Sequence, residues 1–245
     1  MNLSLDIVTS FCATPARAIR SGRTLLLMTV ASALLAGCGI SRPNPDQSSW
    51  LVNPERTAPP RAVPVKMQLK MGNFSANPPF DGKSLVYRLS ENQYEKDFYN
   101  VYLVYPRDMV ANATRQWLVK SHTFTQVVEQ PTTYFPMFQL QGVIDEFYGD
   151  YRDQPTAVVT VQFYASTSFT GDNAIFSSPR ITKRVPLKDK STQALVTGQQ
   201  QALAEVLQEL ENRLAVDALS APAAFKSVSE KAARATRSEE RRVGK

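Results

Sequence analysis

The sequence predicts one α+β domain, a mainly antiparallel sheet with two main helices packed on one of its faces. Two observations predict it. Several short segments alternate apolar and polar residues, as strands with one buried face do, and residues 157–163 give the cleanest example. Two longer segments, 106–118 and 203–214, place apolar residues at helical spacing. The order along the chain is several strands, a helix, several strands and a second helix.

The chain begins with a segment that precedes the domain and has the features of an export signal. Three arginines precede the apolar run Leu25 to Leu35, which is the order of charged and apolar regions in a secretory signal. The run is shorter than the roughly 20 apolar residues that span a bilayer. It ends in Leu35, Ala36, Gly37 and Cys38, which resembles the lipobox recognised by the signal peptidase of lipoproteins. We therefore predict that residues 1–37 are a cleaved signal peptide and that Cys38 carries a lipid. An ordinary signal peptide with a chance cysteine is the alternative.

Gly39 follows the predicted lipid-bearing cysteine. In lipoproteins an aspartate at that position is the usual mark for retention in the inner membrane, so the glycine indicates the periplasmic face of the outer membrane. The mature chain holds no cysteine besides Cys38. We therefore expect no disulfide and no thiolate metal site, and the domain depends on its core alone for stability.

Composition divides the rest of the chain into a tether, a domain and a tail. Residues 38–64 carry six prolines among polar residues, which predicts an extended tether. The domain is predicted at 65–220 and a disordered tail at 221–245. Residues 237–245 read RSEERRVGK, which looks like the translation of a sequencing adapter; a charged natural tail is the alternative. The formal charge is +6, but the signal and the last nine residues contribute +2 each. The remaining +2 gives little reason to expect nucleic-acid binding.

Within the domain, each predicted element follows from its local pattern. Pro106 suits the first turn of a helix, whose apolar face repeats at Met109, Ala113 and Trp117. Glycine, proline and acidic residues predict a hairpin turn at 148–155. Alternating or β-rich segments predict strands at 65–71, 85–89, 98–105, 124–128, 138–144, 157–163 and 175–185.

Several residues in these segments, together with the order of the segments, match one family. They are Phe80-Asp81-Gly82, Leu85-Val86-Tyr87-Arg88-Leu89, Tyr94, Tyr99, Pro106, Trp117-Leu118, Phe124, Val127-Val128, Leu140, Gly142, Ile144, Glu146, Phe147 and the helix 202–214. In these residues the chain resembles the ABC-type transport auxiliary lipoproteins, which include the PqiC/YmbA lipoproteins. Tyr102 departs from the tryptophan expected in many members, although an aromatic ring remains.

The resemblance implies a non-enzymatic auxiliary component of an ABC-driven lipid transport system, usually one built around an MCE-domain substrate-binding protein. The lipid anchor would hold the protein at the outer membrane, where it contacts the periplasmic components; a homo-oligomer is left open. No GxxxxGK[ST] phosphate loop is present, so ATP would be bound by a partner. A structural or pilot lipoprotein that assists assembly of an outer-membrane complex needs the same anchor and surface, and this alternative also stays open.

Catalytic and metal chemistry has little support in the sequence. His122 is the only histidine, so an imidazole metal site has no second ligand and a surface position is favoured. No GxSxG turn is present. The acidic residues of 145–153 lack EF-hand spacing, which favours a solvated hairpin over a calcium site. We expect no catalytic residue, no metal and no cofactor apart from the lipid on Cys38.

Tyrosines are concentrated between residues 87 and 105. Tyrosine and arginine are enriched where proteins bind each other, so this window predicts a partner-binding surface. Tyrosine is also a favoured strand residue, and the alternative that these rings only cover the sheet stays open. The residues predicted for the surface are Tyr87, Arg88, Tyr94, Tyr99 and Tyr102.

Overall fold

The structure, a computed structural model, describes residues 46–129, 138–167 and 175–243. The residues predicted for export and lipid attachment, Leu35, Ala36, Gly37 and Cys38, lie outside these ranges. The helices are α1 (Pro106–Ser121) and α2 (Thr192–Val243), and α2 includes 221–243, for which composition predicts a disordered tail. The strands are β1 (Ser48–Trp50), β2 (Val65–Ala76), β3 (Ser84–Arg88), β4 (Tyr94–Tyr102), β5 (Phe124–Val128), β6 (Phe138–Asp150), β7 (Thr156–Thr167), β8 (Ile175–Ser177) and β9 (Arg180–Pro186).

These strands form one mixed sheet, so the prediction of a mainly antiparallel sheet is wrong, although the α+β class is confirmed. Four of the described strand pairs are parallel: β1 with β4, β2 with β5, β2 with β6 and β3 with β6. The antiparallel pairs are β3 with β4, β6 with β7, and β7 with both β8 and β9. Parallel neighbours need a crossover connection, and the chain makes one by passing through β3, β4 and α1 between β2 and β5. Alternation along a strand indicates its buried face but not its neighbour, which is why sequence pattern alone failed here.

Strand β6 lies at the centre of the sheet. One of its edges pairs with β7 along its whole length, from Phe138 opposite Thr167 to Asp150 opposite Thr156. The other edge pairs with β2 over 138–144 and with β3 at 149–150, so β2 and β3 lie end to end. The tyrosine-rich strands β3 and β4 therefore lie at the same end of β6 as the predicted turn between β6 and β7.

Both helices pack on the sheet and contact each other. Met109, Ala113 and Trp117 are buried on α1, as their spacing predicts. The helices meet where the Trp117 indole Nε1 donates a hydrogen bond of 2.9 Å to Oε2 of Glu211. The apolar face predicted for α2 is buried at Leu203, Val206, Leu207, Leu210 and Leu214.

Only the strand predicted at 124–128 has the same bounds in the structure, and two of the differences concern where a strand ends or breaks. β4 begins at Tyr94 and ends at Tyr102, so residues 103–105 follow the strand instead of belonging to it. The strand predicted at 175–185 is two strands, β8 and β9, separated by Ser178 and Pro179. Proline has no N–H to donate to a ladder, which suits a break between strands.

Residues 46–64, for which composition predicts an extended tether, lie against the domain in the structure. β1 pairs with β4, and the backbone N–H of the buried Val52 donates to Sδ of Met109 at 3.2 Å. Farther along, Arg61 N donates to Ser121 O at 2.9 Å. Prolines do not prevent such docking, because side chains and the remaining N–H groups still find partners on the domain. The described part of this segment begins next to β1, which forms one edge of the sheet.

Candidate functional site

Tyr102 belongs to the hydrophobic core and not to a binding surface. Its side chain is 1% exposed, and its ring packs on Phe147 with the centroids 5.5 Å apart. Its hydroxyl donates a 3.0 Å hydrogen bond to Oε1 of Gln199 on α2. Burial raises the pKa of Tyr102 well above its usual range. A partner cannot reach this ring without unfolding the edge of the sheet.

Tyr87 is half-buried, and its hydroxyl helps to hold the part of β4 around Asp97 in place. Its ring stacks on Tyr151 with centroids 5.3 Å apart, and its hydroxyl donates to Oδ2 of Asp97 at 2.7 Å. Burial, followed by the hydrogen bond to Asp97, raises the pKa of Tyr87. Asp97 also accepts hydrogen bonds from the backbone N–H groups of Tyr99 and Asn100 at 2.8 and 2.9 Å. Burial raises the pKa of Asp97, but these hydrogen bonds outweigh it and the pKa is lowered overall.

Tyr94 lies at the surface beside the turn between β6 and β7, and the Arg88 side chain next to it is 15% exposed. The Arg88 guanidinium lies over the Tyr94 ring, 5.5 Å from its centroid. Tyr94 is 42% exposed, and its ring meets Tyr148 edge-on at 5.8 Å. Arg88 also donates from Nη2 to the backbone oxygen of Glu91 at 2.8 Å. We call this surface the Arg88 cluster, and define it as Arg88, Glu91, Tyr94, Tyr148, Asp150, Arg152 and Arg184.

Ion pairs fix the charged side of the Arg88 cluster. Arg152 donates from Nε and Nη2 to the two carboxylate oxygens of Asp150, at 2.9 and 2.7 Å, and from Nη1 to Glu91 at 2.9 Å. The Arg152 hydrogen bonds lower the pKa of Asp150, and Asp150 in turn raises the pKa of Arg152. Arg184 Nη1 lies 3.6 Å from Asp150 Oδ2, so three guanidinium groups surround two carboxylates. The cluster therefore presents an aromatic ring beside a small excess of positive charge.

Phe98 and Tyr99 form a second exposed aromatic group. They are 60% and 59% exposed, and their rings meet edge-on with centroids 5.4 Å apart. They follow Asp97, whose hydrogen bonds hold the backbone of this bulged part of β4. Of the five residues predicted for one surface, the structure thus places Arg88 and Tyr94 together, Tyr99 elsewhere on β4, Tyr87 half-buried and Tyr102 in the core.

The residues weighed for metal or catalytic chemistry do not converge. His122 is exposed and ends α1 in a left-handed conformation, with φ of 52°. Asp145 pairs with Arg180 at 2.8 Å, while Glu146 is a hydrogen-bond acceptor for Thr160. Within 46–129, 138–167 and 175–243, no three His, Cys, Asp or Glu side chains are grouped to hold a metal ion. A cleft of about 530 Å³ between α1 and the β2 and β6 strands is lined mainly by polar residues.

A comparison with protein families assigns this domain. The model of the ABC-type transport auxiliary lipoprotein component family matches residues 51–211. The chain belongs to this family. The match starts at residue 51, so it includes part of the docked segment before β2. No curated protein matches the chain at a significant level.

Solved structures agree with the family's fold. Protein XCC0632 from Xanthomonas campestris superposes with a TM-score of 0.63 at 18% identity, over 71% of this chain and 99% of that one. An uncharacterized protein superposes with a TM-score of 0.55 at 14% identity, over 69% and 99% of the two chains. At these identities the likeness shows the shared fold alone. In the ranges that the structure describes, no helix of this auxiliary lipoprotein is both long and apolar enough to cross a membrane.

Sequence reasoning missed three features of the site in this family member. Asp150 and Arg152 were assigned only to a hairpin turn, yet their ion pair fixes the Arg88 cluster. Phe98 lies in a strand, as predicted, but nothing in the pattern predicts that it is as exposed as Tyr99. The signal for the first two was present as an acid and an arginine two residues apart, which suits a local ion pair at a turn. For Phe98 no signal was present, because a phenylalanine in a strand is ordinarily expected on the buried face.

Proposed function

We propose that this auxiliary lipoprotein acts at the periplasmic face of the outer membrane as a non-enzymatic component of an ABC transport system for lipids built around an MCE-domain protein. The family match over residues 51–211 carries the transport role. The anchor part of the proposal is supported by Leu35, Ala36 and Gly37 before Cys38, and the outer membrane by Gly39 after it.

The Arg88 cluster is the proposed contact with the transport partner. Arginine and tyrosine dominate binding energy at protein interfaces when their surroundings hold them in place. Here the Arg152 ion pairs restrain the carboxylates beside Arg88, while Tyr94 is supported from behind by Tyr148. A small preorganised surface of this kind loses less side-chain entropy when it binds. Its positive excess favours an acidic patch on the partner.

Binding of the MCE-domain protein to the full-length acylated lipoprotein tests this proposal. Arg88→Ala and Tyr94→Ala each remove a side chain of the cluster without opening the core, so each should weaken binding by about 1 to 4 kcal/mol. Tyr102→Phe is the matched control, because it changes a tyrosine of the same window that is buried. It should leave affinity unchanged and cost about 1 to 3 kcal/mol of stability, because the buried Gln199 oxygen loses its hydrogen bond.

The outcomes separate the possible roles. Weakened binding by both variants, each with an unchanged unfolding midpoint, supports the docking surface. Unchanged affinity removes the Arg88 cluster from the interface. Capture of an outer-membrane assembly without ABC or MCE components would favour the structural or pilot role instead.

A further inference from the structure

The described chain begins beside the exposed pair Phe98 and Tyr99. β1 runs parallel to β4, with Ser48 opposite Asn100, so the residues before Ser48 lie next to Phe98. Gln47 Nε2 donates a 2.8 Å hydrogen bond to the backbone oxygen of Phe98. The residues between Cys38 and Asp46 are therefore joined to the domain beside this aromatic pair.

The backbone holds the two rings outward. Tyr99 N and Asn100 N donate to the same carboxylate oxygen of Asp97, while Asn100 Nδ2 and the Tyr87 hydroxyl donate to its other oxygen, at 2.9 and 2.7 Å. With four hydrogen bonds to one side chain, the backbone that carries the two rings is fixed in this bulged part of β4. Further apolar side chains are exposed just beyond the opposite ends of β1 and β4, at Leu51, Leu103 and Val104.

The chain between Cys38 and Asp46 limits how far this pair can move from a membrane. Eight residue steps span at most about 28 Å, because an extended chain advances roughly 3.3–3.6 Å per residue. A lipid on Cys38 would keep Asp46 within that distance of the bilayer surface at all times, and Phe98 and Tyr99 lie beside the start of β1. Tethering at so short a distance gives a high effective concentration, so even a weak contact with the surface is populated.

We propose that Phe98 and Tyr99 contact the lipid surface of the membrane in which the Cys38 lipid is anchored, and so set the orientation of the domain. The inference rests on the proposed anchor. Aromatic rings, tyrosine above all, favour the boundary between headgroups and acyl chains, where an apolar body and a polar tip are both satisfied. The neighbouring charges are mixed, since Lys96 lies beside Glu95 and the Asp97 carboxylate is occupied by hydrogen bonds. The contact is therefore apolar and does not require anionic lipid.

Brominated lipids test the contact in the full-length acylated protein. Tyr99→Trp is reconstituted in phosphatidylcholine vesicles with and without bromine on the acyl chains, and the wild type, with Trp50 and Trp117, gives the baseline. Ile175→Trp is the matched control, because Ile175 is also exposed but lies on β8, beyond β7 from the β1 edge. Both variants are first shown to keep the wild-type unfolding midpoint.

Most of the tryptophan fluorescence added by Tyr99→Trp should be quenched in brominated vesicles. Including phosphatidylglycerol in the vesicles should not change the extent of quenching. The emission added by Ile175→Trp should be unaffected. Flotation of the vesicles reports the anchor separately. If the protein floats with the vesicles and Tyr99→Trp is not quenched, this inference is wrong and the anchor stands. If the protein does not float, the anchor itself is wrong. A further outcome is that the tryptophan of Tyr99→Trp becomes protected from an aqueous quencher only when the MCE-domain protein is added. That result would assign Phe98 and Tyr99 to a protein interface and overturn the lipid contact.

Discussion

Removing Arg56 should destabilise the domain far more than a surface ion pair does. Arg56 and Glu211 have side chains only 3% and 2% exposed, and Arg56 Nε lies 2.9 Å from Glu211 Oε2. Arg56 Nη2 donates to the other oxygen at 3.0 Å, and Trp117 Nε1 also donates to the carboxylate. Arg56→Met keeps an unbranched apolar stem at this position but leaves a buried carboxylate without its main partner.

The size of the loss follows from these contacts. Removing one partner of a buried ion pair costs about 3–5 kcal/mol, because the remaining charge is desolvated and unpaired. Arg61, whose Nε lies 3.4 Å from Glu211 Oε1, compensates in part, so we expect the lower end, about 3 kcal/mol. The double variant Arg56→Met/Glu211→Leu removes both charges and leaves mainly the Trp117 N–H unpaired, which costs about 1–3 kcal/mol. The double variant should therefore be no less stable than the single one.

Urea unfolding of the full mature chain measures both values. Arg213→Met is the matched control: its ion pair with Glu209 joins an exposed and a half-buried side chain one helical turn apart, and losing it should cost about 0.5 kcal/mol or less. If Arg56→Met costs no more than Arg213→Met, the segment before β2 is not held on the domain as the structure shows. A double variant much weaker than Arg56→Met would refute the argument from an unpaired buried charge.

Three further predictions concern packing, pH and the anchor. Gly142→Ala should lower the free energy of unfolding in urea by about 1–3 kcal/mol, because a Cβ there would lie 2.6 Å from Cδ1 of the buried Phe74 ring. Gly82→Ala is the control and should be neutral, because the space around Gly82 is open. Burial, helped by nearby carboxylates, raises the pKa of Tyr151 to about 12, so the folded state holds the Tyr151 proton more tightly than the unfolded state. The stability that this tyrosine contributes is therefore present below about pH 10 and is lost as the pH rises towards 12. Tyr151→Phe should therefore flatten the alkaline decline of the unfolding midpoint, and an unaltered decline would contradict this. Cys38→Ala should abolish incorporation of a fatty-acid analogue, since no other cysteine remains in the mature chain, and label persisting on the variant would refute the lipobox prediction.

Local pattern predicted the elements well and their arrangement poorly. Apolar spacing at Met109, Ala113 and Trp117 is a property of one helix, so the sequence shows it directly. The neighbour of β6 is decided by how distant segments pack, and no alternation within β2 or β3 encodes that these strands share one of its edges. The mixed sheet was therefore outside the reach of pattern reasoning.

The same limit applies to the predicted binding surface. The excess of tyrosine between residues 87 and 105 is visible in the sequence, but burial decides each residue's role. Tyr102 points to Gln199 in the core, whereas Tyr94 remains at the surface under Arg88. The ion pair between Arg56 and Glu211 joins residues 155 positions apart, and proline-rich composition gave no sign of it.

Site-specific photo-crosslinking at Tyr94 in intact cells tests the central claim most directly. A photo-reactive benzoyl-phenylalanine in place of Tyr94 keeps an aromatic ring at the Arg88 cluster, and the same replacement at the exposed Ile175 on β8 is the control. The proposed function predicts an adduct between position 94 and the MCE-domain protein that disappears with Arg88→Ala, and none from position 175. An adduct to that protein from position 175 alone would contradict the docking surface. Adducts from neither position to any ABC or MCE component would contradict the proposed transport role of this lipoprotein.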